Sequence, residues 1–323
     1  SEITLPTGID KYGKDRTAVC CLSSLNLENY DEWKDEPGFI EDIMRFLDNV
    51  LTDFINRAPE SFDDAKYSAM RERSVGLGVM GFHSFMQKNM IPIESVMAKV
   101  WNKKMFQLID KEVNAASKKL AEERGPCPDA AEYGINERFS NKTAIAPTAS
   151  ISIICGGASP GIEPIAANSY THKTLSGSFN VRNKYLRKIL QKYNQDTNEI
   201  WSSITTNQGS VDHLDFLSQD EKDVFKTAFE IDQRWLIDHS ADRTPYISQA
   251  QSLNVFIPAD IHKKELHQIH YQAWKKGLKS LYYCRSKSIQ RAEVVNNSFA
   301  KTKKQKNQEK QQTTDYEECL SCQ

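Results

Sequence analysis

Between residues 17 and 284, amphipathic stretches with a helical period alternate with short apolar runs of strand length. Each amphipathic stretch has one apolar face to bury, and each short run can be covered on both sides, so the alternation specifies an α/β or α+β domain. Thr17-Ala18-Val19-Cys20-Cys21-Leu22 reads as a buried strand within an otherwise extended, loop-like 1–36. Pro37 opens a helix on which Phe39, Ile43, Phe46, Leu47, Val50, Leu51 and Phe54 recur along one face. A longer helix spans 95–124 with the stripe Met97, Trp101, Met105, Ile109, Val113, Ala116 and Leu120, and Gly125-Pro126 stops it. Further helices are predicted at 181–193 (Tyr185, Ile189, Leu190), after the capping-box pattern of Ser218 and Glu221, and at 259–277 (Ile261, Leu266, Ile269, Ala273). The last runs into Leu281-Tyr282-Tyr283-Cys284, a second strand candidate. Residues 297–323 are rich in Lys, Gln, Asn and Thr, with almost nothing apolar, and are expected to be disordered.

Composition narrows the class of function. The formal net charge of the 323 residues is −1, so no electrostatic binding to nucleic acid or a membrane surface is expected. No apolar run approaches the roughly 20 residues of a membrane span. The first residues have neither a basic nor an apolar segment of signal-peptide type, so none is expected. The 7 cysteines are odd in number and irregular in spacing. That argues against a disulfide framework and for free, redox-active thiols in a reducing compartment, hence the cytoplasm.

Several motifs carry chemistry. Cys319-Leu320-Ser321-Cys322 sits at the tip of the polar tail, where no core exists for it. A zinc site would need a second close Cys or His pair, which is lacking nearby, so no metal is expected. A thiol pair on a flexible arm suits the transport of reducing equivalents; two incidental thiols are the alternative. Cys20 and Cys21, adjacent in a strand, would face opposite ways, and composition alone favours two small buried hydrophobes. Pro147-Thr148-Ala149-Ser150-Ile151-Ser152 would seat phosphate oxygens if it opens a helix; an ordinary capped loop is the alternative. Gly76, Gly78 and Gly81 match a dinucleotide-binding spacing. A charged helix rather than a buried strand precedes them, so close packing of an element at its glycines is the better reading. Tyr282 and Tyr283 are core aromatics or a redox relay, and a relay needs a bend that stacks them. Glu2, taken alone, is a solvated carboxylate.

In their joint order these motifs resemble the C-terminal half of the large, catalytic subunit of an aerobic class I ribonucleotide reductase, over essentially the whole chain. Ser1-Glu2-Ile3-Thr4-Leu5-Pro6-Thr7 resembles that family's finger-loop motif, Asn-x-Cys-x-Glu followed by an Ile-x-Leu-Pro-Thr-like stretch, joined one residue after its cysteine. Residues 18–27 resemble the strand bearing a substrate-reducing cysteine, and Gly161-Ile162-Glu163-Pro164 resembles a family signature. The resemblance implies the second half of a ten-stranded α/β barrel over 1–296 and a flexible redox-shuttle tail over 297–323. It implies Glu2 as general base and Cys20 as one of the two reducing cysteines. Leu22, Pro147, Thr148, Ala149, Ser150 and Ile151 would bind substrate, Tyr282 and Tyr283 would carry the radical, and Cys319 with Cys322 would shuttle electrons.

The implied partners are an N-terminal half of the subunit, a small subunit holding the metal–radical cofactor, thioredoxin or glutaredoxin, and a ribonucleoside diphosphate. No cofactor is expected in this chain. The finger-loop Asn, the thiyl cysteine and the second reducing cysteine are missing, so the chain alone should be inactive. A separately encoded half, an intein-junction product and a trimmed chain all fit a start at Ser1. A non-catalytic fragment that binds the small subunit or an assembly partner is the alternative.

Overall fold

The computed structural model describes residues 2–174 and 177–286. The residues from 287 onward, with the whole 297–323 tail and its Cys319 and Cys322, lie outside the described residues.

Parallel strand segments form one ladder. Leu22–Asn26 pairs in parallel with Gly76–Met80, from Leu22 opposite Gly76 to Asn26 opposite Met80. Leu77 bridges in parallel to Thr143, and Ile145 bridges in parallel to Gln251. Val255–Ile257 then pairs in parallel with Cys284–Ser286. Segments 22–26, 76–80, 143–145, 249–257 and 282–286 therefore lie side by side in chain order, joined by helical crossovers as parallel strands require. These five parallel segments are the half of a ten-stranded α/β barrel that the family resemblance implies.

The helices cover one side of the ladder. Phe39–Arg57 and Val96–Arg124 pack on each other, and the core they share with the strands includes Leu25, Met44, Leu47, Val79, Phe85, Phe106 and Val113. Ser95 caps the longer helix, its Oγ accepting the Ala98 N–H at 3.1 Å, and Gly125 ends it. The capping box of Ser218 and Glu221 is formed in both directions. A separate cluster, with Leu186, Leu190, Trp201, Ile204 and Phe225 at its centre, gathers the short helices of 184–224. Among the described residues no helix is long and apolar enough to cross a membrane.

Several expectations shift. The first strand begins at Leu22, where the predicted run ends, because its neighbour begins only at Gly76; the Cys21 carbonyl already accepts the Gly76 N–H at 2.9 Å, while the Thr17 N–H goes to Ser68 Oγ. On Phe39–Arg57 the buried line is Ile40, Met44, Leu47 and Leu51, and Phe46 and Val50 point outward. Leu281 to Tyr283 is not strand; pairing starts at Cys284. The helices predicted at 181–193 and 259–277 are shorter, Lys184–Lys192 and Lys263–Lys275.

The glycine pattern has the packing origin anticipated. Gly76–Met80 is a fully buried strand. A Cβ on Gly76 would strike Leu22 Cδ2 and Ala144 Cβ, and one on Gly78 would collide with the Ala144 backbone carbonyl. Neighbouring strands approach because the side chains are missing. Gly78→Ala should therefore cost about 3 kcal/mol, the upper end of overpacking penalties, read as a drop in the denaturation midpoint.

Asp48 is fully buried on Phe39–Arg57 and meets three arginines. Arg73 reaches it at 2.6 Å, Arg124 at 2.7 Å and Arg138 at 2.9 Å. Burial pushes the Asp48 carboxyl up, but the arginines outweigh it and hold it below the usual range. A carboxyl held low stabilises the fold above its unfolded-state pKa, and that contribution is lost as pH falls through the folded-state value. Asp48→Ala should destabilise by about 3–5 kcal/mol, because it strands buried guanidinium charge, and should flatten the acid limb of stability against pH in urea titrations.

Candidate active site

Residues 2–4 lie along segment 249–252. The Ala250 N–H donates to the Glu2 carbonyl at 2.9 Å, and the Thr4 N–H donates to Gln249 Oε1 at 3.1 Å. This places the Glu2 carboxylate against Ser252, whose Oγ donates to Oε2 at 2.5 Å. Burial pushes the Glu2 carboxyl up, but the Ser252 hydroxyl and its own backbone N–H more than offset this, and the net direction is down. Glu2 is thus an ionised, half-buried acceptor rather than a free surface group.

Cys20 and Cys21 face opposite ways. Cys21 is buried, its thiol directed at the Leu47 carbonyl at 3.9 Å, and burial pushes its pKa up to about 11. It is the small core hydrophobe that composition favours. Cys20 is not: it is exposed, and its thiol is pushed up first by partial desolvation and then by the charge of Glu2. The two sequence candidates therefore share one electrostatic environment, although 18 positions separate them in the chain. Cys20 rests as a thiol.

Leu22 follows on the same segment, with its Cδ2 over Gly76 beside Ala144. From Ala144 and Ile145 the chain runs into Pro147, and Ala149–Ile154 is a short helix. The motif thus opens a helix, and its first-turn N–H groups have no carbonyl behind them within it. Thr148 takes a left-handed conformation, φ 55°, uncommon for a threonine, and is largely buried. Its Oγ1 accepts the Gly161 N–H at 2.7 Å, which ties the loop to the 161–164 turn behind it. Gly161, φ 49°, allows this, since a Cβ there would press on the Ala146 and Pro147 carbonyls. Ser150 and Ile151 are exposed at the helix start. Lys184 holds the far end, donating to the Gly156 carbonyl at 3.0 Å while paired with buried Glu28 at 2.5 Å.

Tyr282 and Tyr283 come close to each other, tilted rather than stacked. The Tyr282 N–H donates to the Leu253 carbonyl at 2.8 Å, but the next amide is captured by a side chain, Asn254 Oδ1, at 2.9 Å. The chain leaves strand geometry there, and the two rings lie with centroids 3.9 Å apart, tilted by 39°. Tyr283 is 45% exposed and Tyr282 is more covered, so the pair leads inward from the surface. Cys20, Glu2 and the 147–151 loop thus sit on or beside the same ladder as the tyrosines. Sequence reasoning missed Ser252, Asn254 and Lys184, whose contacts are made with residues 28 or more positions away.

A parallel ladder with an exposed thiol in the field of a half-buried carboxylate, and a close, tilted tyrosine pair just ahead of its last strand, defines an α/β-barrel protein. Residues 1–136 and 128–284 match the family described as "Ribonucleotide reductase, barrel domain". The chain belongs to that family. It is 51% identical over 302 residues to the ribonucleoside-diphosphate reductase large subunit of Invertebrate iridescent virus 6, covering 92% of this chain and 31% of that protein. It is 44% identical to the corresponding subunit of Invertebrate iridescent virus 3, covering 92% of this chain and 47% of that one. The class Id ribonucleotide reductase alpha subunit of Actinobacillus ureae superposes with a TM-score of 0.79 at 40% identity, over 84% of this chain and 50% of that one. The chain spans about a third to a half of the length of these relatives.

In peptide-resolved alkylation, Cys20 should label in the native state while Cys21 labels only on unfolding. Glu2→Gln removes a negative charge beside the thiol, so the pH midpoint of Cys20 labelling should move down.

Proposed function

We propose that this chain supplies the second half of the catalytic barrel of a ribonucleoside-diphosphate reductase large subunit, active only with the N-terminal half and a radical-bearing small subunit. The observation that carries this reading is the Ser252-held carboxylate of Glu2 within electrostatic reach of the exposed Cys20 thiol. A thiol to supply electrons and an ionised base to take a proton act in one electrostatic environment, and the loop suited to a diphosphate follows the neighbouring 143–145 segment.

In this reading a thiyl radical on a cysteine outside this chain removes the 3′ hydrogen of the ribose. Glu2 accepts the 3′-hydroxyl proton, for which it must be ionised and fixed in place, as the Ser252 hydroxyl leaves it. The 2′-hydroxyl leaves as water with a proton from a reducing thiol. Cys20 and the partner cysteine give up two electrons, the second thiol hydrogen going to C2′, and close a disulfide; Glu2 returns its proton to O3′, and the 3′ hydrogen returns from the thiyl cysteine. The raised Cys20 pKa keeps its proton available for the leaving water. Cys319 and Cys322 then reduce that disulfide by thiol exchange and are themselves reloaded by thioredoxin or glutaredoxin. The N–H and hydroxyl groups of Thr148, Ala149, Ser150 and Ile151 hold the diphosphate through charge-assisted hydrogen bonds, with Pro147 and Leu22 shaping the wall. Tyr282 and Tyr283 connect the thiyl cysteine to the small subunit, which holds the metal–radical cofactor; this chain needs none of its own.

The test is reduction of a ribonucleoside diphosphate by the reconstituted complex with thioredoxin. Cys20→Ser should lower turnover on the order of 10³-fold or more, as loss of an essential reacting group does. Glu2→Gln should lower kcat by roughly 10²–10⁴-fold, the range for loss of a general base. A well-folded complex without activity, or one indifferent to Cys20→Ser, would favour a fragment that only binds the small subunit or an assembly partner.

A further inference from the structure

Lys279 has a side chain that the chemistry above leaves unused, and it ends on three backbone oxygens. Its Nζ donates to the carbonyls of Ile247 at 3.2 Å, Ser248 at 2.6 Å and Gln249 at 2.6 Å. An ammonium has three N–H donors and no acceptor, so this set engages all of them. Successive residues of an extended chain face opposite ways. Three consecutive carbonyls meet at a single atom here because the chain bends at Ser248 and Gln249. Carbonyl dipoles aimed at one point repel each other, and a cation between them turns that repulsion into attraction through charge-assisted hydrogen bonds.

The bend leads directly into the segment that holds Glu2. The Gln249 side chain accepts the Thr4 N–H at 3.1 Å, and the Ala250 N–H donates to the Glu2 carbonyl at 2.9 Å. Ser252 Oγ donates to the Glu2 carboxylate at 2.5 Å. Towards segment 143–145 the same stretch is fixed by backbone: the Gln249 N–H donates to the Thr143 carbonyl at 3.0 Å and the Ser252 N–H to the Ile145 carbonyl at 2.9 Å. Towards the last strand, regular pairing begins only at Val255 and Cys284. Ahead of that point side chains reach across, Lys279 to 247–249 and Ser280 Oγ to the Gln251 carbonyl at 3.4 Å.

We propose that Lys279 is a positioning residue for Glu2: its ammonium gathers the 247–249 carbonyls, and the bend so held sets where segment 249–252 presents the Ala250 N–H and the Ser252 hydroxyl to Glu2. The inference rests on the reading of Glu2 as general base. Lys279 acts through the backbone, so its loss acts on proton removal and not on the grip on substrate.

The experiment reads turnover in the full complex, with the missing barrel half and the small subunit, and thiol labelling in the full chain. Lys279→Ala should lower kcat for diphosphate reduction by about tenfold to a hundredfold, the cost of a misplacement on the order of 1 Å, with KM unchanged. n-Propylammonium, the part of the side chain removed, should restore kcat saturably. Tetramethylammonium, a cation without N–H donors, should not. Once Glu2 leaves its place its charge acts less on Cys20, so the pH midpoint of Cys20 alkylation in Lys279→Ala should move down, towards that of Glu2→Gln. Loss of the lysine charge by itself would push that midpoint up, so the direction separates the two effects. The double variant should move no further than Glu2→Gln alone, as expected for residues acting through one another. A side chain that only stabilises the fold would lower the denaturation midpoint and leave the labelling midpoint in place.

The proposal is overturned if Lys279→Ala raises KM at unchanged kcat, or if the Cys20 midpoint stays in place or moves up. It is also overturned if n-propylammonium restores no more turnover than tetramethylammonium does. Should Lys279→Ala fail to fold, Lys279→Met, which keeps the stem and lacks the donors, takes its place, and an unshifted Cys20 midpoint overturns the proposal equally. An unmutated complex that reduces no diphosphate overturns the reductase reading; the labelling midpoint, which needs no turnover, still decides whether Lys279 places Glu2.

Discussion

One buried carboxylate, Asp48, holds together the chain ends from which the ladder is launched. Arg73 closes the Asp63–Glu72 helix in a left-handed conformation, φ 42°, and the chain passes from it directly into the Gly76–Met80 strand. Arg124 ends the longest helix, and Arg138 both reaches Asp48 and donates to the Arg124 and Gly125 carbonyls that the helix leaves open. A few residues later the chain enters the 143–145 segment. Three guanidinium groups around one carboxylate satisfy the buried charge and its lone pairs, the condition under which such a site is tolerated. Arg73 further donates to the Asp48 carbonyl and to Thr52, so backbone and side chain are fixed together.

The candidate site inherits this registration. Cys21 packs towards Leu47, one residue before Asp48, and its burial is what turns Cys20 to the opposite side. The close approach at Gly76 and Gly78 brings segment 143–145 against the second strand, and segment 249–252 follows with Ser252 on Glu2. The candidate groups lie on or beside different segments of one parallel ladder, so their mutual placement follows in large part from how those segments pair. The polar contacts at the site are few and short-ranged: a hydroxyl on a carboxylate, a threonine on a glycine amide, an asparagine on a tyrosine amide.

Much of this was legible before the fold was known, and for identifiable reasons. The 95–124 helix announced itself by its stripe and its stop signal, and the capping box by its spacing, because both are local patterns. Cys20, Glu2, the 147–151 loop and the tyrosine pair could be singled out through their order along the chain. The outward side of Phe46 and Val50 could not, since an apolar helix surface wider than its contact gives no hint of which part will be covered. The strand start at Leu22 was equally hidden, because it is dictated by where a partner strand begins.

The amino-acid sequence by itself determined the long helices, the close packing at Gly76 and Gly78 and the kinds of reactive group available, all of which follow from periodicity and side-chain chemistry. Only the tertiary structure decided that Cys20 and not Cys21 is accessible, that Ser252 donates to the Glu2 carboxylate, and that Asn254 takes the Tyr283 amide where the Tyr282 and Tyr283 rings meet at a tilt. Each of those outcomes depends on a hydrogen bond or a packing contact between segments distant in sequence, and local sequence carries no record of its eventual partner across the ladder.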